Sequence, residues 1–173
     1  MKSNLNRIAL LVCGSLLSMP IGAQENQSSP DLTAGDGVFE ISDIFARATL
    51  PNAPTGAVYL SLSNMGEEPD RLVSGTTSVA KDVQIHSMTM KDDVMQMRQL
   101  VDGIEIAPGE IHTFEPSGLH IMLIEVQQPL IEGETFILTL EFEHSGEIEI
   151  DVPIVGIGAR SAPDSAEPAR SGQ

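Results

Sequence analysis

The chain of 173 residues holds 4 His and 8 Met, and their placement is uneven. Met88, Met90, Met95 and Met97 fall within ten residues of one another beside His86, and His120-Ile121-Met122 sets a second imidazole next to a second thioether. Imidazole suits copper, and the neutral thioether is a soft ligand that selects Cu(I) over hard ions such as calcium or magnesium. In Val83-Gln84-Ile85-His86, apolar and polar residues alternate, so Val83 and Ile85 should face a core while His86, Met88 and Met90 share the other side. A two-residue turn at Lys91-Asp92 would set His86 opposite Met97 and Met88 opposite Met95, with directly opposed Cβ atoms about 4.5–5.5 Å apart. On a strand, His120 and Met122 project from one face about 7 Å apart. Brought together, the two His–Met pairs make a two-nitrogen, two-sulfur set for Cu(I) from His86, Met97, His120 and Met122. His112 and His144 stand apart and read as bystanders.

The elements that must position these side chains are short β-like runs: 38–49, 57–63, 71–76, 82–88, 94–101, 104–106, 110–114, 120–126, 135–142 and 147–154. Turn residues separate them, among them Pro51-Asn52-Ala53-Pro54, Asp102-Gly103, Pro108-Gly109, Pro116-Ser117-Gly118, Glu132-Gly133 and Ser145-Gly146. Short strands at this spacing, with no amphipathic helical pattern of ten or more residues, predict an all-β sandwich or barrel. Only Ser78–Lys81 could make a helical turn. Residues 1–23 have the order of a signal peptide: Lys2 and Arg7, an apolar stretch from Ile8 to Leu17, then Pro20-Ile21-Gly22-Ala23 before a polar run, with cleavage expected near Ala23. Residues 24–37 read as a flexible polar lead, 38–156 as the domain, and 157–173 as a disordered tail.

Cleavage near Ala23 leaves 150 residues, enough for one domain with a real core. It also takes Lys2 and Arg7 and moves the formal charge from −16 to −18. Such a surface repels phosphate backbones and anionic lipid, which argues against nucleic acid and membrane as partners and favours a monomer. Cys13 is the only cysteine. It is preceded by Leu10-Leu11-Val12, where lipoprotein processing wants a small residue, and it leaves with the signal peptide. A mature chain without thiols forms no disulfide, no thiolate nucleophile and no blue-copper centre, which needs a Cys ligand.

These residues resemble the signature of the PCu(A)C family of periplasmic copper chaperones, a His, ten residues, a Met, about 21 residues, then His-x-Met. Ten residues separate His86 from Met97, 22 separate Met97 from His120, and His120-Ile121-Met122 closes the motif. Ala46-Arg47-Ala48, Gly56-Ala57-Val58-Tyr59-Leu60 with Asn64, Asp70-Arg71-Leu72-Val73-Ser74, Val94 to Arg98 and Gly118 to Leu123 are similar to that family's blocks, so the resemblance runs from about Val38 to Val155. It implies a cupredoxin-like Greek-key β-barrel that binds Cu(I) through His86, Met97, His120 and Met122, with Met88 as an auxiliary ligand. It also implies delivery of copper to the CuA centre of a respiratory oxidase subunit, together with a Sco-type thiol protein, in the periplasm. Two departures stand out: the gap before His120 is one residue longer than the commonest form, and Phe45 stands where Trp is frequent.

An enzyme is disfavoured, because the chain shows no nucleophile–base grouping, no Gly-rich phosphate loop and no carboxylate–His set with hydrolytic metal spacing. The competing reading is a metal-free β-sandwich that docks protein partners through an exposed Met patch.

Overall fold

The computed structural model describes residues 32–34 and 38–163, with side chains from 38 onward. The signal-peptide stretch and Cys13 lie outside the described residues. Eleven strands follow one another: β1 (Leu32–Ala34), β2 (Phe39–Arg47), β3 (Thr55–Asn64), β4 (Asp70–Thr77), β5 (Ala80–Lys91), β6 (Val94–Gln99), β7 (Ile104–Ile106), β8 (Ile111–Phe114), β9 (Leu119–Val126), β10 (Thr135–Phe142) and β11 (Gly146–Val155). The all-β expectation is borne out. No described helix is long and apolar enough to cross a membrane.

Hydrogen bonding runs in the order β6-β5-β9-β8-β3-β2-β11-β10-β4-β7, with β1 on β2 and β9 also pairing directly with β3. The order passes through a narrow parallel seam, where β11 meets β2 only at Ile154↔Ala46 and Val155↔Arg47. On one side of the seam β2, β3, β9 and β5 form a layer, and on the other β11, β10 and β4 form the second. Alternation aims Ile41, Val58, Leu60, Ile85, Ile121 and Leu123 from the first layer at Leu72, Leu138, Leu140, Ile150 and Val152 from the second, and all of them are buried in one cluster. In β2, a register shift between Ser42 and Phe45, with Asp43 at φ 51°, inserts one extra residue. That bulge lets Phe39 and Ile41 before it and Ile44 and Ala46 after it all be buried.

Buried polar side chains hold the loops. Asn64 donates to the carbonyls of Glu68 and Ile106 at 2.9 Å each, and its Oδ1 accepts from the Gly66 amide. Asp70 accepts from the amides of Arg71, His144 and Ser145, clamping the start of β4 to the β10–β11 turn. Every polar atom of these two side chains has a partner suited to it, so their burial is affordable.

Four features differ from the sequence reading. The polar lead contributes β1, which pairs Leu32 with Ile41 and Ala34 with Phe39. Ser78–Val79 is a tight turn from β4 to β5 with no helix in it. The segment after residue 156 stays on the domain: Arg47 Nε donates to the Ala159 carbonyl at 2.7 Å, and Ala162 is buried against Phe45 and Tyr59. The physical reason is the aromatic pair itself, centroids 5.0 Å apart on the outside of the first layer, whose apolar surface a returning chain covers. Residues 164–173 lie outside the described residues.

The fourth is the β5–β6 turn, which falls at Asp92-Asp93 rather than Lys91-Asp92, because Lys91 pairs with Val94. Both aspartates have positive φ, 51° and 59°. A two-residue turn of that hand needs left-handed backbone at both central positions, which Asp tolerates and Lys does not favour. A β-branched residue there meets a steric penalty, so Asp92→Val is expected to destabilise the protein by about 1–3 kcal/mol. Chemical denaturation measures the loss, and amide exchange should quicken first along β6.

Candidate metal centre

The site lies on the outer face of the first layer, over β6, β5, β9 and β3. Ile85 and Ile121 sit opposite each other and point into the core, which forces their neighbours His86 and His120 outward as a directly opposed pair. The imidazole centroids are 5.8 Å apart with planes 38° from parallel. One ion bonded to both rings at about 2 Å holds their centroids no more than roughly 6 Å apart, so the spacing suits a shared ligand. Although they face outward, His86 is only 9% exposed and His120 only 7%.

Each ring has its tautomer set by a carbonyl, which can only accept. His120 Nδ1–H donates to the Gly118 carbonyl at 3.1 Å, leaving Nε2 as the lone-pair nitrogen. The same carbonyl accepts the Met88 amide at 3.1 Å, so one oxygen both registers β5 against the turn before β9 and orients a histidine. His86 Nε2–H donates to Gln84 Oε1 at 2.9 Å, and Gln84 Nε2 donates in turn to Asp82 Oδ2 at 2.7 Å. His86 Nδ1 is thereby the lone-pair nitrogen, and it is buried with no hydrogen-bond partner. An orphaned buried acceptor costs about 1–3 kcal/mol, which a ligand at that nitrogen would recover. Gln84 is a residue the sequence reading missed. Its signal was present in the i, i+2 alternation that puts it on the face of His86.

The register rearranges the methionines. Because the turn moves by one residue, Met97 faces Met88, Met95 faces Met90, and His86 faces Gln99. The expected direct pairing of His86 with Met97 is therefore corrected: Met97 is the diagonal neighbour of His86, about 7–8 Å away between backbones. Slipping by two residues keeps all of these side chains on the same face, so the site survives the error. Met122 lies opposite Gln84 on the other diagonal of His86. The centre is thus one His–His pair with Met97 towards the hairpin tip and Met122 away from it, rather than two His–Met pairs. Met97 is 51% exposed on the edge strand, whose six residues are all exposed. Met88 lines an apolar groove of about 410 Å³ with His120, Met122, Tyr59, Arg47 and Leu50.

The extra residue before His120 does no harm to this geometry. Between Met97 and His120 the chain leaves the layer, forms β7 against β4, returns through the turn at Pro108-Gly109 as β8, and turns again at Ser117. His120 is placed by its pairing with β5, not by the length of that excursion. His112 Nε2–H donates to the Glu105 carbonyl at 3.1 Å and lies 3.2 Å from Glu110, away from the pair. Among the described residues no three His, Cys, Asp or Glu side chains gather as ligands for a hard ion.

Placed on an outer sheet face of a two-layer β-sandwich, this His–Met cluster defines a PCuAC-type domain. The copper-bound PCuAC domain from PmoF2 is 26% identical with a TM-score of 0.58, covering 69% of this chain and 94% of that one. The apo form of that domain has a TM-score of 0.61 at 26% identity, covering 73% and 96%. Cu(I)-DR1885 from Deinococcus radiodurans, at 22% identity and a TM-score of 0.52 over 71% and 83%, shares the fold. The family model "Putative lipoprotein LpqE-like" matches residues 39–154. The chain belongs to this LpqE-like family, and its fold is the cupredoxin-like fold of the PCuAC domains, as the sequence resemblance implied. "Putative lipoprotein Lxx21020" of Leifsonia xyli subsp. xyli (strain CTCB07) is 28% identical over 147 residues, 85% of this chain and 84% of its own.

Burial first, and the nearby His120 second, hold the His86 pKa below its ordinary 6.5, which keeps the ring neutral and its lone pair available. In the copper-free protein the His86 ring signals should titrate below that value in an NMR pH series. Because the unfolded chain then binds the proton more readily than the native one, stability should fall as pH drops from 6.5 towards the folded value. A His86→Gln variant should lose that part of the slope.

Proposed function

We propose that this chain is an exported copper carrier that holds Cu(I) on His86, His120, Met97 and Met122, with Met88 as an auxiliary thioether. The observation that carries the reading is the pair of buried, directly opposed imidazoles whose hydrogen bonds leave one bare nitrogen on each, with thioethers on both diagonals. Neutral nitrogen and sulfur donors match Cu(I). The copper-bound state of the PmoF2 domain supports the same cargo here. The names carried by the family and by the Leifsonia relative support export, and the periplasm is the compartment that a cleaved signal peptide at residues 1–23 would reach.

The transfer logic follows from exposure. Imidazoles that are nearly covered hold the ion, while the exposed Met97 and the open groove beside Met88 and Met122 give an acceptor a way in. Delivery to the CuA centre of a respiratory oxidase subunit, alongside a Sco-type thiol protein, is the role we assign. Thiolates of an acceptor bind Cu(I) more strongly than thioethers do, so hand-over runs downhill. No step requires this chain to make or break a covalent bond, which makes it a carrier rather than an enzyme.

Titration of the copper-free protein with Cu(I) against a competing chelator is expected to give one tight equivalent. His86→Ala or His120→Ala should weaken it by well over the roughly 10–100-fold typical of losing a supporting residue, and Gln84→Ala should fall within that range. Met97→Ala should weaken binding less and speed release to a CuA domain. A wild-type protein that takes up no copper would sink the proposal and leave the protein-docking module as the reading.

A further inference from the structure

The β5–β6 hairpin carries thioethers that the four-ligand site does not use. Met90 and Met95 are directly opposed near its tip, and Met88 is two residues below Met90 on the same face. Met90 is 64% exposed and Met95 42%. Keeping such thioethers in water beside an open sheet edge forgoes burial that Met usually gains and leaves sulfur open to oxidation. The other face of the hairpin carries Ser87, Thr89, Lys91, Val94, Gln96 and Arg98, so the methionines are segregated to the face of the histidines. Directly opposed Cβ atoms sit about 4.5–5.5 Å apart and diagonal ones about 7–8 Å, and the flexible thioether arms of Met88, Met90 and Met95 can converge on one ion across that span. Asp92 and Asp93 at the tip add negative charge where a cation would arrive.

We infer that Met88, Met90 and Met95 form a second, exposed, all-thioether Cu(I) site, a landing point from which the ion passes inward to the imidazole pair. The inference deepens the carrier reading above and rests on it for the direction of passage. The binding itself needs only the three sulfurs. Ligation by neutral thioethers moves no electron and releases no proton, so the ion travels as Cu(I) throughout. Met88 joins the two sites: it faces Met97 across the strands and lines the groove beside His120.

The test uses the whole exported chain, free Cu(I) under anaerobic conditions, and a weak competing chelator, with methionine methyl signals followed by NMR. The wild type should take one tight and one weaker equivalent, with the Met90 and Met95 methyl signals shifting during the second. Met90→Leu with Met95→Leu preserves apolar bulk and should abolish the weaker equivalent, keep the tight one, and slow loading of the tight site. His86→Ala with His120→Ala should do the reverse, losing the tight equivalent while the weaker one and its methyl shifts persist. A wild type with a single equivalent, or a second equivalent that survives the double leucine change, overturns the landing site without touching the carrier reading. A wild type that takes only the weaker equivalent, at the hairpin thioethers, would overturn the carrier reading and with it the inward passage, while the thioether site itself would stand.

Discussion

The pairing of β5 with β9 is the constraint on which the site depends. Seven residue pairs join these strands, from Ala80↔Val126 to Ser87↔Leu119, and Ile85↔Ile121 and His86↔His120 are consecutive rungs. The inward rung is buried in the common core and the outward rung carries the imidazoles. Sliding one strand by a single residue would drive the histidines into the core and the isoleucines into water, a change the apolar cluster forbids. Core packing and metal chemistry are thus two faces of one register. The oxygen of Gly118 reinforces it by accepting from the Met88 amide and the His120 ring together.

The histidines and the methionines sit in different environments. His86 and His120 are nearly covered, and burial first and the neighbouring His120 second favour the neutral form of His86. The thioethers reach from them towards solvent along an edge strand and a groove. A sheet edge is normally protected against unwanted pairing by charge or by brevity, and β6 is six residues long with Met, Gln and Arg on it. An edge left in that condition fits a surface meant to meet other molecules.

Several blocks that carry the family resemblance turn out to be scaffolding. Asn64 and Asp70 are buried and fully bonded to loop backbone, and they fix where β4 begins. Arg47 stacks over Tyr59 at 5.3 Å and ties down the returning chain at Ala159. They bear on copper only at a distance, by holding the layer flat against its core so that the outer face stays in place.

Local patterning was enough to show the strands, because period-two alternation of apolar side chains is visible residue by residue, and enough to put His86, Met88, Met97, His120 and Met122 on exposed-face positions. Partners across strands are another matter. Whether Met97 faces His86 or Met88 turned on one residue of backbone conformation at Asp92-Asp93, and both placements preserve the alternation, so the pattern carries no information to choose between them. The His86–His120 pairing joins residues 34 positions apart through strands whose neighbours are decided by how the whole core closes. The Gln84–His86 bond, the orphaned Nδ1 and the docked segment at Ala162 likewise arise from side chains meeting in space. The sequence by itself therefore determined which donors are available and which side of a strand they occupy, since both follow from residue type and backbone period. Only the tertiary structure decided which donors meet, because that depends on burying distant apolar rungs together.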